Sequence, residues 1–250
     1  MWTFFHRLAS PPHFYELANK IYPWIMVPGL ALIAYGTYAG LFVAPVDYQQ
    51  KDAFRIIYVH VPSAYLSMMA YMTMAISAGI GLIWRMKLAH AVAAAAAPIG
   101  AWFTFLALMT GSIWGRPMWG TWWEWGDPRL TSELILLFLY FGYLALRGAI
   151  DDQSKADRSS AVLALVGAIN IPIIHFSVEW WSSLHQGATL VREGGPAITT
   201  DMLYPLLAMI FGFTLFFGAV LLKRVRTEVL ARERRSRWVQ KMIMPLEGRA

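Results

Sequence analysis

Six stretches of this chain, residues 21–43, 62–84, 91–113, 132–150, 161–180 and 203–222, are almost free of charge. Each has about the 20 apolar residues that a helix needs to cross a bilayer. In hydrocarbon every backbone N–H and C=O must be satisfied within the segment, so such runs have helix as their solution. The rest of the composition agrees: 58% of the 250 residues are hydrophobic, 14% are charged, and the mean hydropathy is +0.47. Soluble domains do not reach those values. The expected fold is therefore all-α, a polytopic membrane bundle of six transmembrane helices. The first run follows Arg7 and Lys20 as a signal peptide would. It is longer than a secretory apolar core and lacks a small-residue cleavage site, so it is expected to remain as an anchor.

Basic residues set the expected orientation. Sixteen of the 21 fall in the N-terminal tail, the 84–90 and 147–160 connections and the C-terminal tail, while Lys51, Arg55, Arg116, Arg129 and Arg192 lie on the other side. Both termini are then cytoplasmic, and segments 44–61, 114–131 and 181–202 face outward. The net charge of +6 is mostly this topology signal. Nucleic acid is not an expected partner, because the basic residues adjoin apolar spans without interleaved base-stacking aromatics. The chain reads as a membrane domain over residues 1–225 and a basic cytoplasmic tail over 226–250, the latter suited to anionic lipid. Asp151, Asp152 and Asp157 read as solvated linker, and Gly36 with Gly40 as a small-residue pair for close helix packing.

Five of the 12 tryptophans, Trp114, Trp119, Trp122, Trp123 and Trp125, crowd one outward segment beside Gly and Pro. Two readings stand. An aromatic belt places Trp at headgroup level on both sides of the membrane, whereas seven of the 12 here, with Trp180 and Trp181, fall on one face. That concentration suits a flat apolar platform for a planar ligand. His60 and His185 lie on the same face, and neutral imidazole is a common iron ligand. His175 follows Asn170 and Pro172 within a span and is expected to face the bundle interior; Glu179 is placed to pair with it or to cap an outer group. Asp127 before Pro128 has the pattern of a helix N-cap.

With no cysteine, thiolate sites and thioether attachment are excluded. No P-loop, H-E-x-x-H or Ser/His/Asp order stands out, and acidic residues buried in spans, the usual sign of ion coupling, are nearly absent. Haem fits this inventory: Trp faces to cover the macrocycle, His for axial nitrogen, and Arg55, Arg116, Arg129 or Arg192 for the propionates. It would be held without a covalent bond and so could leave again.

The run W-G-T-W-W-E-W-G-D-P-R-L-T-S-E-L resembles the Trp-rich WWD signature of the haem-handling proteins of cytochrome c biogenesis. With R-I-I-Y-V-H-V-P, A-P-I-G-A-W-F-T-F, T-G-S-I-W-G-R-P-M-W-G and N-I-P-I-I-H-F-S-V-E-W-W-S-S-L-H-Q-G, residues 1–225 are similar to the haem exporter protein C family. The resemblance implies a bacterial inner-membrane protein that is not itself an enzyme. It would present transiently bound, non-covalent haem b at its periplasmic surface and pass it to a membrane-anchored periplasmic haem chaperone. It also implies assembly with ABC transporter ATPase and membrane subunits and with a small single-span subunit. Carried over by residue, it makes His60 and His185 the axial iron ligands. Trp114, Trp119, Trp122, Trp123, Trp125 and Asp127 become the haem and chaperone surface; Arg55 and Arg129 are expected among the haem-binding cations from their charge and outward position, apart from the resemblance. One departure stands: the family runs W-x-W-D-A-R-L, whereas here Gly126 separates Trp125 from Asp127 and Pro128 takes the place of Ala. Two other readings remain: a membrane scaffold that docks the chaperone and ABC subunits without binding haem, and a solute transporter.

Overall fold

The computed structural model describes residues 10–185, 187, 190 and 194–247 and is helical throughout its ordered elements. Six spans are present, as the apolar runs require. The first is α1 (Pro11–Tyr38), which continues as a π-turn over Ala39–Val43. A short 3-10 turn (Asp52–Ile56) leads into α2 (Ile57–Trp84), followed by α3 (Lys87–Trp119) and α4 (Pro128–Ala149). The fifth span is made of two helices, α5 (Gln153–Gly167) and α6 (Asn170–Trp180). The sixth, α7 (Thr200–Arg232), precedes a C-terminal α8 (Arg237–Glu247).

The helices overrun the apolar runs because the polar residues that flank a span still keep helical hydrogen bonds once clear of hydrocarbon. The overrun matters most in α3, which carries Trp114 and Trp119, read from the sequence as part of the outward segment 114–131, on a regular helix. It ends where glycine permits: Gly120 turns left-handed at φ 77°, and its N–H donates to the Arg116 carbonyl at 3.2 Å. The loop that remains spans residues 120–127. In the fifth span Pro172 has no N–H to give to the Ala168 carbonyl one turn back. The chain tightens there instead, with Ile169 N–H on Val166 at 3.2 Å and Ile171 N–H on Ala168 at 3.1 Å, which separates α5 from α6.

Small residues set the packing. The buried run Ala93–Ala97 lets α3 lie close along α2, and Tyr71, Tyr140 and Tyr143 fill the space where α2 meets α4. Gly36 seats α1 against Met209 of α7, and Gly40 seats it against Tyr58, so the expected close packing is real at both glycines. Gly212 gives the complementary notch for Ile33.

With six spans, the described ends of the chain, near Tyr15 and Trp238, lie at one end of the bundle, and the tryptophan-rich loop lies at the other. Two expectations fail. Asp157 is buried, not solvated: it accepts from Arg147 and, at 2.7 and 2.9 Å, from Arg232, while Glu228 accepts from both arginines at 3.0 and 3.1 Å. A guanidinium brought in from α7 makes burial of that carboxylate tolerable. His175, by contrast, is exposed, its ring edge-on to Phe176 at 4.7 Å. The α6 face that packs inward is taken by Asn170, Ile174 and Ser177, with Asn170 Nδ2 donating to the Ser132 carbonyl at 2.9 Å. Glu179 is exposed as well.

Candidate functional site

Asp127 organises the tryptophan-rich end. It is 2% exposed and N-caps α4, its Oδ1 accepting from the Arg129 and Leu130 amides at 3.0 Å each. Its Oδ2 reaches across to the third outer segment and accepts from Ser183 Oγ and Leu184 N, both at 2.7 Å. Cap and tether are thus one carboxylate. Gly126 is absorbed in a tight turn: the Asp127 N–H bonds to the Glu124 carbonyl at 3.2 Å and the Gly126 N–H to Glu124 Oε1 at 3.1 Å. Burial alone would push the Asp127 carboxyl up, but the bonds from Leu130, Ser183 and Leu184 and the nearby His185 outweigh it and leave its pKa below the usual value.

The tether fixes His185, whose Nδ1 lies 3.5 Å from Asp127 Oδ1 and 3.4 Å from Ser183 Oγ. A carboxylate can only accept, so Nδ1 is the protonated nitrogen and Nε2 keeps its lone pair. Burial lowers the His185 pKa, Arg129 adds to the effect, and Asp127 opposes it without reversing it. The ring is therefore neutral at pH 7, the form a metal requires.

His60, in the first turn of α2, comes to the same place from another direction. His60 and His185 line one cavity of about 30 Å³ together with Arg129, Glu133, Met68 and Ile174, room for a single water. Trp114 stands edge-on to His60 at 5.6 Å, and Trp119 is tilted against His185 at 5.0 Å. Two histidines separated by half of the chain and two tryptophans of α3 thus form one constellation. Among the described residues no three His, Asp or Glu side chains gather as a metal cage. What the pair offers is two nitrogen donors, which suits a metal that brings its own equatorial ligands. A macrocycle needs more room than this partly open cavity has.

The other expected residues divide. Trp123 turns inward against the core and meets Trp125 edge-on at 5.5 Å, while Trp122 and Trp125 are 57% and 73% exposed. Arg129 lies in the His chamber, flanked by the carboxylates of Asp127 and Glu133. Arg55 does not line it: its Nε donates to Asp52 at 3.0 Å and its Nη1 to the Gly40 carbonyl at 2.9 Å. Arg116 is exposed and bonds the Gly120 carbonyl, and Arg192 lies outside the described residues.

Glu133 escaped sequence reasoning. It is 8% exposed inside a span, and its Oε1 is buried with no hydrogen-bond partner among the described residues, contrary to the expectation of almost no buried acid. Its signal was available: it follows Arg129 by one helical turn, on the same face. Gln50, which accepts the Trp114 Nε1–H at 2.9 Å, and Thr110, which meets His60, left no comparable trace.

The chain matches the family model described as heme exporter protein C over residues 4–240. It is similar to the heme exporter protein C of Escherichia coli strain K12, with 49% identity over 244 residues and 98% of each chain covered. With that of Haemophilus influenzae it shares 46% over 247 residues, covering 99% of this chain and all of the relative. With that of Bradyrhizobium diazoefficiens it shares 52% over 229 residues, covering 92% of this chain and 86% of the relative.

Proposed function

The chain belongs to the heme exporter protein C family, and on that premise we propose that it binds haem b at the tryptophan-rich end of the bundle and hands it on for c-type cytochrome biogenesis. The haem is cargo, held transiently by His60 Nε2 and His185 Nε2 as axial ligands. The observation that carries this reading is the convergence of two imidazoles on one chamber, each with Nδ1 engaged by the protein and each against a tryptophan ring. Arg129 is the cation within the chamber for a propionate; Arg55 belongs to the surrounding scaffold.

In this reading the haem site faces the periplasm from the bacterial inner membrane, an orientation supported by the basic residues at the terminal end. Trp122 and Trp125, exposed beside the chamber, form the surface for the periplasmic haem chaperone. ATP hydrolysis falls to the ABC transporter subunits, with the small single-span subunit as a further neighbour, and this chain supplies binding and transfer without catalysis of its own.

The test is the Soret spectrum of protein purified in mild detergent after haem supplementation. Wild type should carry haem, and the double variant His60→Ala, His185→Ala should lose it or change its coordination. Unaltered haem in the double variant, combined with loss of chaperone capture in Trp122→Ala, Trp125→Ala, would replace this reading with that of a docking scaffold.

A further inference from the structure

The Thr110 hydroxyl decides which nitrogen of His60 carries hydrogen. It is buried in α3 and has one proton, donated to the Leu106 carbonyl at 2.6 Å with the Ala107 carbonyl at 3.3 Å as a second acceptor. The same oxygen lies 3.0 Å from His60 Nδ1. Its proton being spent, the oxygen can only accept there, so Nδ1 bears the hydrogen. A neutral imidazole has one such hydrogen, and Nε2 is left as a lone pair.

The surroundings fix the ring as well as the tautomer. Gly111, the next residue, leaves the space the imidazole occupies: a methyl group there would come within 3.1 Å of His60 Cε1. Trp114 packs edge-on against the ring at 5.6 Å and is itself anchored through Nε1 to Gln50. The segment Thr110–Trp114 is thus a cradle one helical turn long, built for a single imidazole.

We propose that Thr110 is a positioning residue of the site: it holds His60 as the Nδ1–H tautomer, seated by Gly111 and Trp114, so that Nε2 is presented to the haem iron. This rests on the haem-binding reading above. It also gives the two ligands different supports, a neutral hydroxyl for His60 and a carboxylate for His185. Partners of this kind fix ring orientation and raise ligand basicity, and their loss lowers metal affinity by roughly 10–100-fold.

The experiment has a haem-free arm and a haem-loaded arm. In haem-free protein labelled with nitrogen-15 histidine, the His60 ring signals, assigned by their loss in His60→Ala, should report Nδ1–H. Finding Nε2–H in the wild type overturns the proposal whatever any variant does. Thr110→Val keeps the β-branched shape and removes the acceptor; it should shift His60 toward the other tautomer and weaken haem binding roughly 10–100-fold. Thr110→Ser, which keeps the hydroxyl, should restore binding to within a few-fold. Wild-type affinity in Thr110→Val, or a serine variant as weak as the valine one, also overturns it. Undiminished haem coordination in His60→Ala would instead remove the haem reading on which the proposal rests, while the tautomer assignment would still stand or fall on the haem-free spectra.

Discussion

The two ends of this bundle treat buried charge in opposite ways. At the terminal end, Asp157 and Glu228 face Arg147 and Arg232, so two carboxylates meet two guanidiniums and α4, α5 and α7 are tied together. At the tryptophan-rich end, Asp127, Arg129 and Glu133 stand near His60 and His185, and Glu133 Oε1 is buried with no partner among the described residues. The four-residue cluster at the terminal end spends its hydrogen-bonding capacity on itself. The cavity at the other end is lined by His60, His185 and Glu133, whose acceptor capacity is not used up in this way. Unspent capacity in a buried site is unfavourable for stability and is what a ligand can use.

The comparison is broken most directly at the terminal end. Asp157→Ala leaves two partly buried guanidiniums with Glu228 alone. Loss of one partner from a fully buried ionic pair costs about 3–5 kcal/mol, and the partial exposure of the arginines and Glu228 puts this case toward or below the lower end. The variant should unfold at clearly lower temperature in detergent, while the fraction still folded keeps its haem spectrum. Wild-type stability would mean that the network contributes little and that the two ends do not differ in the way described.

Asp127 offers a sharper cut, because it serves stability and site together. Asp127→Ala removes the α4 cap, worth about 0.5–2 kcal/mol, and frees the segment bearing Ser183, Leu184 and His185. Its thermal loss should be smaller than that of Asp157→Ala, yet its haem coordination should change, since His185 loses its orienting partner. Asp127→Asn retains an acceptor for the cap and should recover stability ahead of haem binding. A haem spectrum unchanged in Asp127→Ala would detach the carboxylate from the site.

These residues also show what could be read before any fold was known. Six spans were legible because each depends only on about 20 consecutive apolar residues. The cap at Asp127 was legible from Asp-Pro alone. His60 and His185 were placed on one face by counting spans, but their meeting in one cavity is a tertiary fact. Asp157 was misread because a short charged connection looks solvated until Arg232, 75 residues on, is brought to it. Thr110 was invisible for a different reason: a hydroxyl inside a span ordinarily bonds back to its own helix. It does so here too, and nothing local reveals that its lone pair serves His60.

Glu133→Gln should have the smallest effect on stability and tests the contrast most closely. In the wild type the desolvation of Oε1 is already suffered without a compensating bond, so an amide of the same size removes no hydrogen bond from that oxygen. Arg129 loses one of its two flanking carboxylates but keeps Asp127, so the chamber is not left with an isolated cation. The expected change is within about 1 kcal/mol, in either direction, measured as thermal unfolding beside Asp157→Ala under the same conditions. A loss as large as that of Asp157→Ala would mean that Glu133 is satisfied in the folded protein after all. Both ends would then be closed charge networks, and the chamber would have no free acceptor beyond its two imidazoles. A small change would make Glu133 a residue held at the site against the preference of the fold, which is where a role toward the cargo should be sought.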